Sequence, residues 1–482
     1  MSEPMRTSDS TEAIIRLEDS MSEVLFEAIP GSKLHLWPVM RLPLARATAN
    51  SELGTITLKR TFTRKQLLTR HLSRFLPNPY SSKRVCRERR FLFIAGGTTY
   101  RESAKGRENW LIDDFAEALE GHSAILQDRA LERSPKPTTR PRFKDTFTFQ
   151  DAFARAELAT KLRPSSSSRD SYVRRAVREI VREFDYPLSP ERLHQLEVQM
   201  TYRVALFRHL EVEYKRVLDR VNPQIVLMDG ASYTGRAALS NILRERNVRI
   251  LEPQHGWIGP SHGAYNFGAA MSSPELKGYL PDVLLTFGDF WSENIRHPSK
   301  TVSIGKAHLD TAVAARRLTE NKHSRILVAS SVYQTNELMS HVLKLRDILP
   351  PNWQIVVRPH PSERDKASEI FSALVGKSGI VIDNQTDVYD SFASVDAVYG
   401  YASTVLYEAL AFEIPVFVLD SPLADLYTPQ SVFGERIKDD DSLVNSIERI
   451  QHPENDSTTE VDLTQIWKPG AVQNFRDFVS QY

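Results

Sequence analysis

The sequence predicts an α/β protein built from two doubly wound domains that face each other across a central cleft. From residue 91 onward, short apolar or β-branched runs alternate with segments of helical periodicity, as in parallel sheets covered by helices on both faces. Many runs end in Gly, Asp, His or Ser, and they form two groups separated near residues 271–282. The predicted strands begin near residues 91, 123, 224 and 248 in the first group, and near 283, 325, 353, 379, 396 and 415 in the second.

The 482 residues leave room for two to four domains at roughly 150 residues each. We expect an N-terminal extension over residues 1–90 and a first domain over 91–270. A Pro- and Ser-rich stretch at about 132–175 is expected to be an insertion in the first domain. The second domain is predicted over 271–465, and a helix over 466–482 is expected to cross back onto the first domain.

One helix is well marked. Ser189 is a suitable N-cap, Pro190 suits the first turn, and apolar residues follow at steps of three and four as far as Val217. The pattern stops before Pro223, where a predicted strand begins.

Composition excludes several classes of protein. Lys+Arg is 62 and Asp+Glu is 61, so the net charge of +1 lacks the basic excess of a dedicated nucleic-acid binder. A single cysteine, Cys86, excludes an internal disulfide framework and a multi-cysteine metal site, and fits a reducing compartment. No apolar run reaches the ~18 residues that span a bilayer, and the polar N-terminus resembles no targeting peptide. We therefore expect a soluble cytoplasmic protein.

The charge is unevenly distributed, because residues 59–90 contain eleven basic residues and one acid, Glu88. Apolar residues at roughly helical spacing make part of this segment amphipathic. Such a segment can lie on an anionic membrane surface, which would place the protein peripherally on the inner membrane. It can equally be a solvated connector, and the sequence leaves both interpretations open.

Ligands of open α/β sheets bind beyond the carboxyl ends of the strands. In the second group, Ser403 and Thr404 stand where a helix follows a strand, so the helix N-terminus and two hydroxyls can hold a phosphate. Glu408, one turn later, can accept hydrogen bonds from ribose hydroxyls. The alternative is an ordinary Ser/Thr N-cap. The predicted donor site is completed by Ser330, Arg358, His360 and Pro361, in which Arg358 and His360 can donate to phosphate.

In the first group, Asp229 and His255 each follow a strand, and either can act as the general base that takes a proton from an acceptor hydroxyl. The alternatives are that Asp229 caps the next helix and that His255 only orders its loop. Gly96, Gly97 and Tyr100 follow the first strand and are expected to contact the acceptor.

The familiar cofactor and metal motifs are missing from the sequence. It contains no GxxxxGK[ST], no GxGxxG after a strand and no HExxH. We therefore expect neither a metal nor a cofactor beyond a nucleotide-linked co-substrate, with Arg, His and helix N-termini balancing the phosphate charge.

The motifs RPHPSE and, about forty residues later, YASTVLYEALAFEIPVFVLD resemble the nucleotide-binding half of GT-B glycosyltransferases. The similarity covers roughly residues 220–420. It is closest to bacterial capsule and lipopolysaccharide enzymes, namely the CMP-sialic acid and Kdo transferases and the CDP-glycerol polyglycerol-phosphate transferases. Gln254-His255-Gly256 and Met228-Asp229-Gly230 are also similar to motifs of these enzymes, although only one acid precedes Gly230 where some relatives have two.

The resemblance implies a GT-B fold with two Rossmann-like domains, an acceptor domain followed by a nucleotide-donor domain. His360-Pro361 and Ser403-Thr404 would lie against the nucleotide phosphate, and Asp229 matches the motif that supplies the base. The implied activity is metal-independent transfer of a sugar, such as Kdo or another ulosonic acid, from a CMP-activated donor to a surface polysaccharide or glycolipid. The alternatives are a polyol-phosphate transferase that uses CDP-glycerol, a UDP-sugar 2-epimerase and a non-catalytic glycan-binding subunit.

Overall fold

The computed structural model describes residues 7–48, 81, 88–96, 99–103, 106–128, 143, 145–162, 166–186, 188–315, 324–451 and 461–482. These residues form two compact units. The first contains the described residues up to Ile304 together with Ala471–Tyr482, and the second is Gly305–Gly470. Most of the basic segment at 59–90 lies outside the described residues, so its attachment to a membrane stays a prediction. No helix in the described part of the chain combines the length and apolar character needed to cross a membrane.

The first unit is built on a seven-stranded parallel sheet in the order β5-β4-β1-β6-β7-β8-β9. The inner strands β1, β6 and β8 are continuous apolar runs with buried side chains, as expected for a sheet that is covered on both faces. A small antiparallel hairpin, β2–β3, follows β1. The strands of this unit are β1 (Phe91–Gly96), β2 (Tyr100–Ser103), β3 (Gly106–Asn109), β4 (Ser123–Asp128), β5 (Thr146–Thr148), β6 (Ile225–Met228), β7 (Arg249–Pro253), β8 (Val283–Thr286) and β9 (Lys300–Ser303).

The helices of the first unit pack their apolar faces against this sheet and against one another. They are α1 (Thr7–Asp19), α2 (Leu36–Thr48), α3 (Asp113–Ala118), α4 (Gln150–Leu162), α5 (Ser167–Glu183), α6 (Pro190–Val221), α7 (Ala237–Glu245), α8 (Pro274–Lys277), α9 (Asp289–Glu293) and α19 (Ala471–Val479). The helix predicted after Leu188 is confirmed as α6, because Ser189 Oγ accepts from Arg192 N and Asn222 ends the helix in the left-handed region.

The N-terminal residues are part of the first unit, which corrects the expectation of a separate extension over residues 1–90. α1 and α2 bury Ile14, Leu17 and Trp37 in the main core of this unit. A buried ion pair, Arg41 Nε to Glu18 Oε1 at 2.6 Å, joins the two helices. A sequence with this many apolar side chains folds onto the nearest apolar surface instead of remaining an appendage.

The described part of the expected insertion at 132–175 is also integral. β5 pairs with β4 and is an edge strand of the sheet, and α4 and α5 pack on α6. The polar composition of the segment favours an insertion, but α5 is amphipathic and buries Val173, Val177 and Ile180. Its charged residues lie on the opposite face. The overall composition of the segment is therefore polar, although the spacing of its apolar residues is that of a helix.

The second unit has a five-stranded parallel sheet in the order β12-β11-β10-β13-β14. Its elements are α10 (Ala307–Ala314), β10 (Arg325–Ala329), α11 (Thr335–Ile348), β11 (Gln354–Arg358), α12 (Ala367–Ile370), β12 (Ile380–Ile382), α13 (Val388–Phe392), β13 (Ala397–Gly400), α14 (Thr404–Ala411), β14 (Val416–Val418), α15 (Pro422–Tyr427), α16 (Gln430–Phe433), α17 (Asp440–Gln451) and α18 (Leu463–Ile466). The prediction of an α/β protein with two Rossmann-like parallel sheets is confirmed.

The boundary expected at residues 270–271 is wrong, because β8 and β9 belong to the first sheet. Leu251 of β7 pairs with Val283 of β8, and the first unit extends to Ile304. The apolar run of β8 resembles the strands of either sheet, so only its pairing reveals its position. Beyond the second unit, α19 returns to the first, where the ring centroids of Phe475 and Phe115 lie 4.6 Å apart.

Candidate functional site

The first unit brings Gly96 and Asp229 into contact at the point where its strand order reverses. β1 and β6 are neighbours in the sheet, but the chain leaves them towards opposite edges, and this is where α/β sheets bind ligands. Gly96 N donates to Asp229 Oδ2 at 3.1 Å. A Cβ atom on residue 96 would lie 2.3 Å from that oxygen, so only glycine allows the carboxylate to occupy this position.

His255, which follows β7, lies against the same carboxylate. Its Nδ1 is 3.6 Å from Asp229 Oδ1. The His255 side chain is 26% exposed and that of Asp229 is 8% exposed. Asp229 therefore contacts a backbone amide with one oxygen and an imidazole with the other, and the imidazole is the group that faces solvent.

Two further side chains fix the orientation of His255. Ala264 N donates to His262 Nδ1 at 3.2 Å, so the proton of the neutral His262 ring is assigned to Nε2, which lies 3.2 Å from Tyr233 Oη. Tyr233 Oη can then donate to His255 Nε2, at 3.4 Å. This leaves the proton of a neutral His255 on Nδ1, facing Asp229. Burial lowers the pKa of His262 to about 3, so its ring stays neutral at physiological pH.

Glu252, which we did not predict as a site residue, lies beneath this group as a fully buried residue of β7. Its Oε1 accepts from Tyr265 Oη at 2.9 Å, and its Oε2 accepts from Ser232 N at 2.7 Å and from Ser232 Oγ. Burial raises the pKa of Glu252 to about 7, against the opposing effect of these hydrogen bonds. Tyr265 Oη also lies 3.4 Å from His255 Nδ1, so one hydroxyl connects the two titratable groups.

A further imidazole, that of the half-buried His297, contacts Ser232, and its ring centroid lies 6.2 Å from that of Tyr265. Ser299 N donates to His297 Nδ1 at 3.1 Å, which assigns the proton to Nε2, 2.9 Å from Ser232 Oγ. Burial lowers the pKa of His297 to about 3. We call Asp229, Tyr233, Glu252, His255, His262 and Tyr265 the acid–base cluster.

The N-terminal helices hold the loop that carries part of this cluster. Arg41 donates to the carbonyl oxygens of Gly263 and Asn266, and Glu18 Oε2 accepts from Gly268 N at 2.6 Å. A Cβ on Gly268 would lie 2.4 Å from the Cβ of Glu18, so α1 packs directly on the loop backbone. The buried Glu18–Arg41 pair therefore supports the loop that contains His262 and Tyr265.

In the second unit, the carboxyl ends of β10, β11 and β13 present Ser330, His360 and Ser403 at one edge of the sheet. β10 and β13 flank the reversal of strand order in this sheet as well. Ser403 caps α14, because its Oγ accepts from Val405 N at 3.2 Å, and it keeps its hydroxyl proton for another acceptor. Thr404 is half-buried on the first turn of the same helix.

His360 is half-buried, and its ring is oriented by the turn that follows. Ser362 N donates to His360 Nδ1 at 3.2 Å, which assigns the proton of the neutral ring to Nε2. Glu363 Oε2 accepts from His360 N at 2.8 Å, and burial raises the pKa of Glu363. Pro361 begins this turn and is exposed.

Two predicted donor residues are buried in fixed ion pairs. Arg358 Nη1 donates to Asp383 Oδ2 at 2.5 Å and to Gln385 O at 3.0 Å. Glu408 is buried and accepts from Lys306 Nζ. Both residues join segments of the second unit, so the structure gives them a supporting position beneath the rim.

The structure places some of the remaining predicted residues and not others. Gly97 lies outside the described residues, and Tyr100 is half-buried on β2. Asp229 does not cap a helix, because the following 3-10 turn at Ala231–Tyr233 has Gly230 at its N-cap without a side-chain hydrogen bond.

The sequence contains a signal for Glu252, since an acid within the apolar run VRILEP must be buried with hydrogen-bond partners. Across the described ranges, no group of three His, Cys, Asp or Glu side chains is arranged to hold a metal ion.

No family model matches the sequence, and no curated protein matches it. Several solved structures share parts of the architecture. They include a UDP-GlcNAc 2-epimerase from Methanocaldococcus jannaschii, with 10% identity, TM-score 0.45 and coverage of 81% of this chain and 99% of that chain. The enzyme of the same name from Neisseria meningitidis, bound to UDP-GlcNAc, gives 13% identity, TM-score 0.41 and coverage of 81% and 98%. A glycosyltransferase from Rickettsia africae gives 11% identity, a TM-score of 0.40 and coverage of 81% of this chain and 94% of that chain. At these identities and TM-scores, the similarities do not bear on what this chain binds or catalyses.

Proposed function

We propose that this protein is a sugar-nucleotide enzyme in which His255 is the general base and Asp229 orients it. The observation that carries the proposal is the position of Asp229, whose two oxygens lie against Gly96 N and His255 Nδ1. A base that is held by a less exposed carboxylate is a recurring arrangement in acid–base catalysis. His255 is the more exposed of the two and can therefore reach a substrate hydroxyl.

The second unit would bind the nucleotide phosphate. His360 Nε2 and the hydroxyls of Ser403 and Thr404 are donors, and the N-terminus of α14 adds a partial positive charge. Arg358 and Glu408 would act indirectly, by fixing the segments that carry these donors. The charge of the phosphate is then balanced by the chain itself, without a metal.

The finer proposal is transfer of a sugar, such as an ulosonic acid, from a CMP-activated donor to a hydroxyl of a surface glycan. The acceptor hydroxyl would replace Tyr233 Oη, which lies at 3.4 Å, as the donor to His255 Nε2, and would give its proton to that nitrogen as its oxygen forms a bond to the anomeric carbon. The bond from that carbon to the phosphate oxygen breaks, and CMP leaves with the electron pair. Donors positioned in advance for that charge usually contribute most to such catalysis.

A UDP-sugar 2-epimerase is the second candidate, and Glu252 favours it. An epimerisation removes a proton from carbon and returns one. It therefore needs one deprotonated group that accepts the proton and one protonated group that donates it. With a pKa raised to about 7 and a connection to His255 through Tyr265, Glu252 can supply the second state. Glycosyl transfer needs only one base and leaves the protonation of Glu252 unexplained.

Hydrogen exchange distinguishes the two candidates. Each sugar nucleotide, CMP-activated or UDP-activated, is incubated with the protein in D₂O, with and without a glycan acceptor. An epimerase incorporates deuterium at carbon without any acceptor, whereas a transferase releases nucleotide only when the acceptor is present and leaves the donor unlabelled. Turnover of CDP-glycerol instead would indicate the polyol-phosphate transferase.

Nucleotide binding tests the broader proposal that the protein is a sugar-nucleotide enzyme. CMP, CDP, UDP and GDP are compared by thermal shift on the full chain, with His360→Ala as the site variant. Stabilisation by UDP alone would contradict the cytidine donor. No response to any nucleotide, together with no turnover, would contradict the sugar-nucleotide enzyme and favour a glycan-binding subunit.

A further inference from the structure

The first unit carries a basic groove along α5, remote in sequence from both candidate sites. Ser166 caps the helix by accepting from Arg169 N, and α5 buries its apolar face in the core. Its opposite face is exposed and carries Arg174, Arg175, Arg178 and Arg182. The acid–base cluster does not use this face.

Two adjoining depressions, with volumes of about 300 Å³ and 470 Å³, run along this face and share Ser171 and Arg175. Their lining includes five arginines and a single acid, Glu179. We call the arginines, Arg169, Arg174, Arg175, Arg178 and Arg182, the arginine groove. Ser166, Ser168 and Ser171 line the same surface and add hydroxyl donors near the helix N-terminus.

The positive charge of the groove is only partly compensated. Arg178 Nε donates to Glu197 Oε1 at 2.6 Å, and Arg175 Nε lies 3.6 Å from Glu179 Oε1. Within the described residues, neither Arg174 nor Arg182 has a carboxylate within ion-pair distance. Two guanidinium groups on the same face as the paired ones are therefore available to an anion from outside the chain.

The spacing of these arginines suits a ligand with more than one charge. Arg174, Arg178 and Arg182 are four residues apart, so they follow one another along one side of the helix at about 6 Å intervals. A guanidinium donates two parallel hydrogen bonds to a phosphate, which a lysine ammonium does not. Arg175 also lies 5.3 Å from the ring centroid of Tyr172, which limits the freedom of both side chains.

We propose that the arginine groove binds a ligand with two or more phosphate groups, either in soluble form or as the headgroup of a lipid. The inference goes beyond the proposed function and does not depend on it. The shared chemistry is a cluster of phosphate oxygens, and the two sources are distinguished by experiment.

Binding is measured on the full chain with two probes. Inorganic tripolyphosphate is titrated by calorimetry at constant ionic strength, and vesicles of phosphatidylcholine with cardiolipin are compared with phosphatidylcholine vesicles by co-sedimentation. Arg174→Glu combined with Arg182→Glu should weaken binding by about tenfold or more, because it replaces two donors by two repelling charges. The matched control, Arg208→Glu with Lys215→Glu on the exposed surface of α6, changes the net charge equally and should weaken binding by less than about twofold.

A second pair of substitutions keeps the test independent of the stability of the protein. Arg174→Lys with Arg182→Lys retains the charge and should give an intermediate loss if forked hydrogen bonds contribute. Binding of the soluble probe supports a soluble ligand, and binding of the cardiolipin vesicles alone supports a lipid headgroup. The proposal is overturned if the wild type binds neither probe, or if the α6 control loses as much affinity as the α5 variant.

Discussion

The two units share a topology but distribute their charged groups differently. In both, the strand order reverses beside the first strand of the sheet, and small or titratable residues follow the strands there. In the first unit, those residues form the connected acid–base cluster around His255. In the second, Arg358 and Glu408 are held in the ion pairs Arg358–Asp383 and Lys306–Glu408, and the rim presents hydroxyls and one imidazole.

Under the proposed function, one architecture would serve two tasks. Proton transfer needs groups whose charge can change, so partners such as Tyr233 and Tyr265 are hydroxyls that can donate or accept. Binding a phosphate needs donors that do not move, and buried ion pairs fix the segments that carry them. We therefore expect substitutions in the first unit to affect turnover most, and substitutions at the rim of the second to affect nucleotide binding.

The largest effect should come from His255→Ala. Removing the proposed base should lower turnover about 10³-fold to 10⁴-fold while nucleotide affinity changes little. Turnover and nucleotide affinity are measured separately, by steady-state kinetics and by calorimetry. If nucleotide affinity falls as far as turnover, the acid–base cluster is a binding site, and the assignment of catalysis to the first unit and nucleotide binding to the second is wrong.

The next effect should come from Gly96→Ala, which adds a Cβ 2.3 Å from Asp229 Oδ2. The carboxylate must leave the position in which its other oxygen lies 3.6 Å from His255 Nδ1, and a displacement on this scale should reduce turnover on the order of 100-fold. Gly235→Ala is the matched control in the same unit, since nothing lies within 4 Å of the added Cβ. Equal turnover in the two variants would show that Asp229 does not orient the base.

A smaller loss of transition-state stabilisation is expected for His360→Ala. It should reduce turnover on the order of 100-fold at a fixed, low donor concentration and by less at a saturating donor concentration. His341→Ala, a half-buried histidine on α11, serves as the control and should leave kinetics unchanged. Near-normal turnover in His360→Ala would remove this residue from the site.

The smallest effect concerns stability and pH. The pKa of His297 is lowered from 6.5 to about 3 in the folded state, so the unfolded chain binds more protons between those values and stability falls as pH falls. His297→Gln removes this contribution. The difference in unfolding free energy between wild type and variant should therefore shrink by about 2–3 kcal/mol from pH 6.5 to pH 4.5.

Denaturant titrations at several pH values measure this difference, and the exposed residue His194, changed to Gln, provides the control. A constant difference between wild type and His297→Gln would mean that His297 is accessible to protons in the folded state. The raised pKa of Glu252 acts in the opposite direction over part of this range, which is why the comparison uses a variant and not the wild type alone.

The sequence was most informative where local pattern decides structure. Continuous apolar runs predicted every strand of the second sheet and all but β5 and β9 of the first, and the spacing of apolar residues predicted α6. Asp229, His255, His360 and Ser403 were predicted to follow the carboxyl ends of parallel strands, and the structure places them there. Each of these inferences needs only neighbouring residues.

What could not be predicted depends on pairing between distant segments. The membership of β8 in the first sheet follows from its contact with β7, not from its composition. Asp383 lies 25 residues from Arg358, and Lys306 lies 102 residues from Glu408, so neither buried pair is visible as a local motif. The integration of α1 and α2 likewise depends on a loop more than two hundred residues away.

The return of α19 to the first unit has a consequence for synthesis on the ribosome. Phe475 packs against Phe93 and Phe115, so the first unit includes residues made after the whole of the second. Domains usually fold in the order in which they emerge. Here the second unit can complete its sheet while the first still lacks α19, and a chain released after residue 470 would contain the whole of the second unit and a first unit without α19.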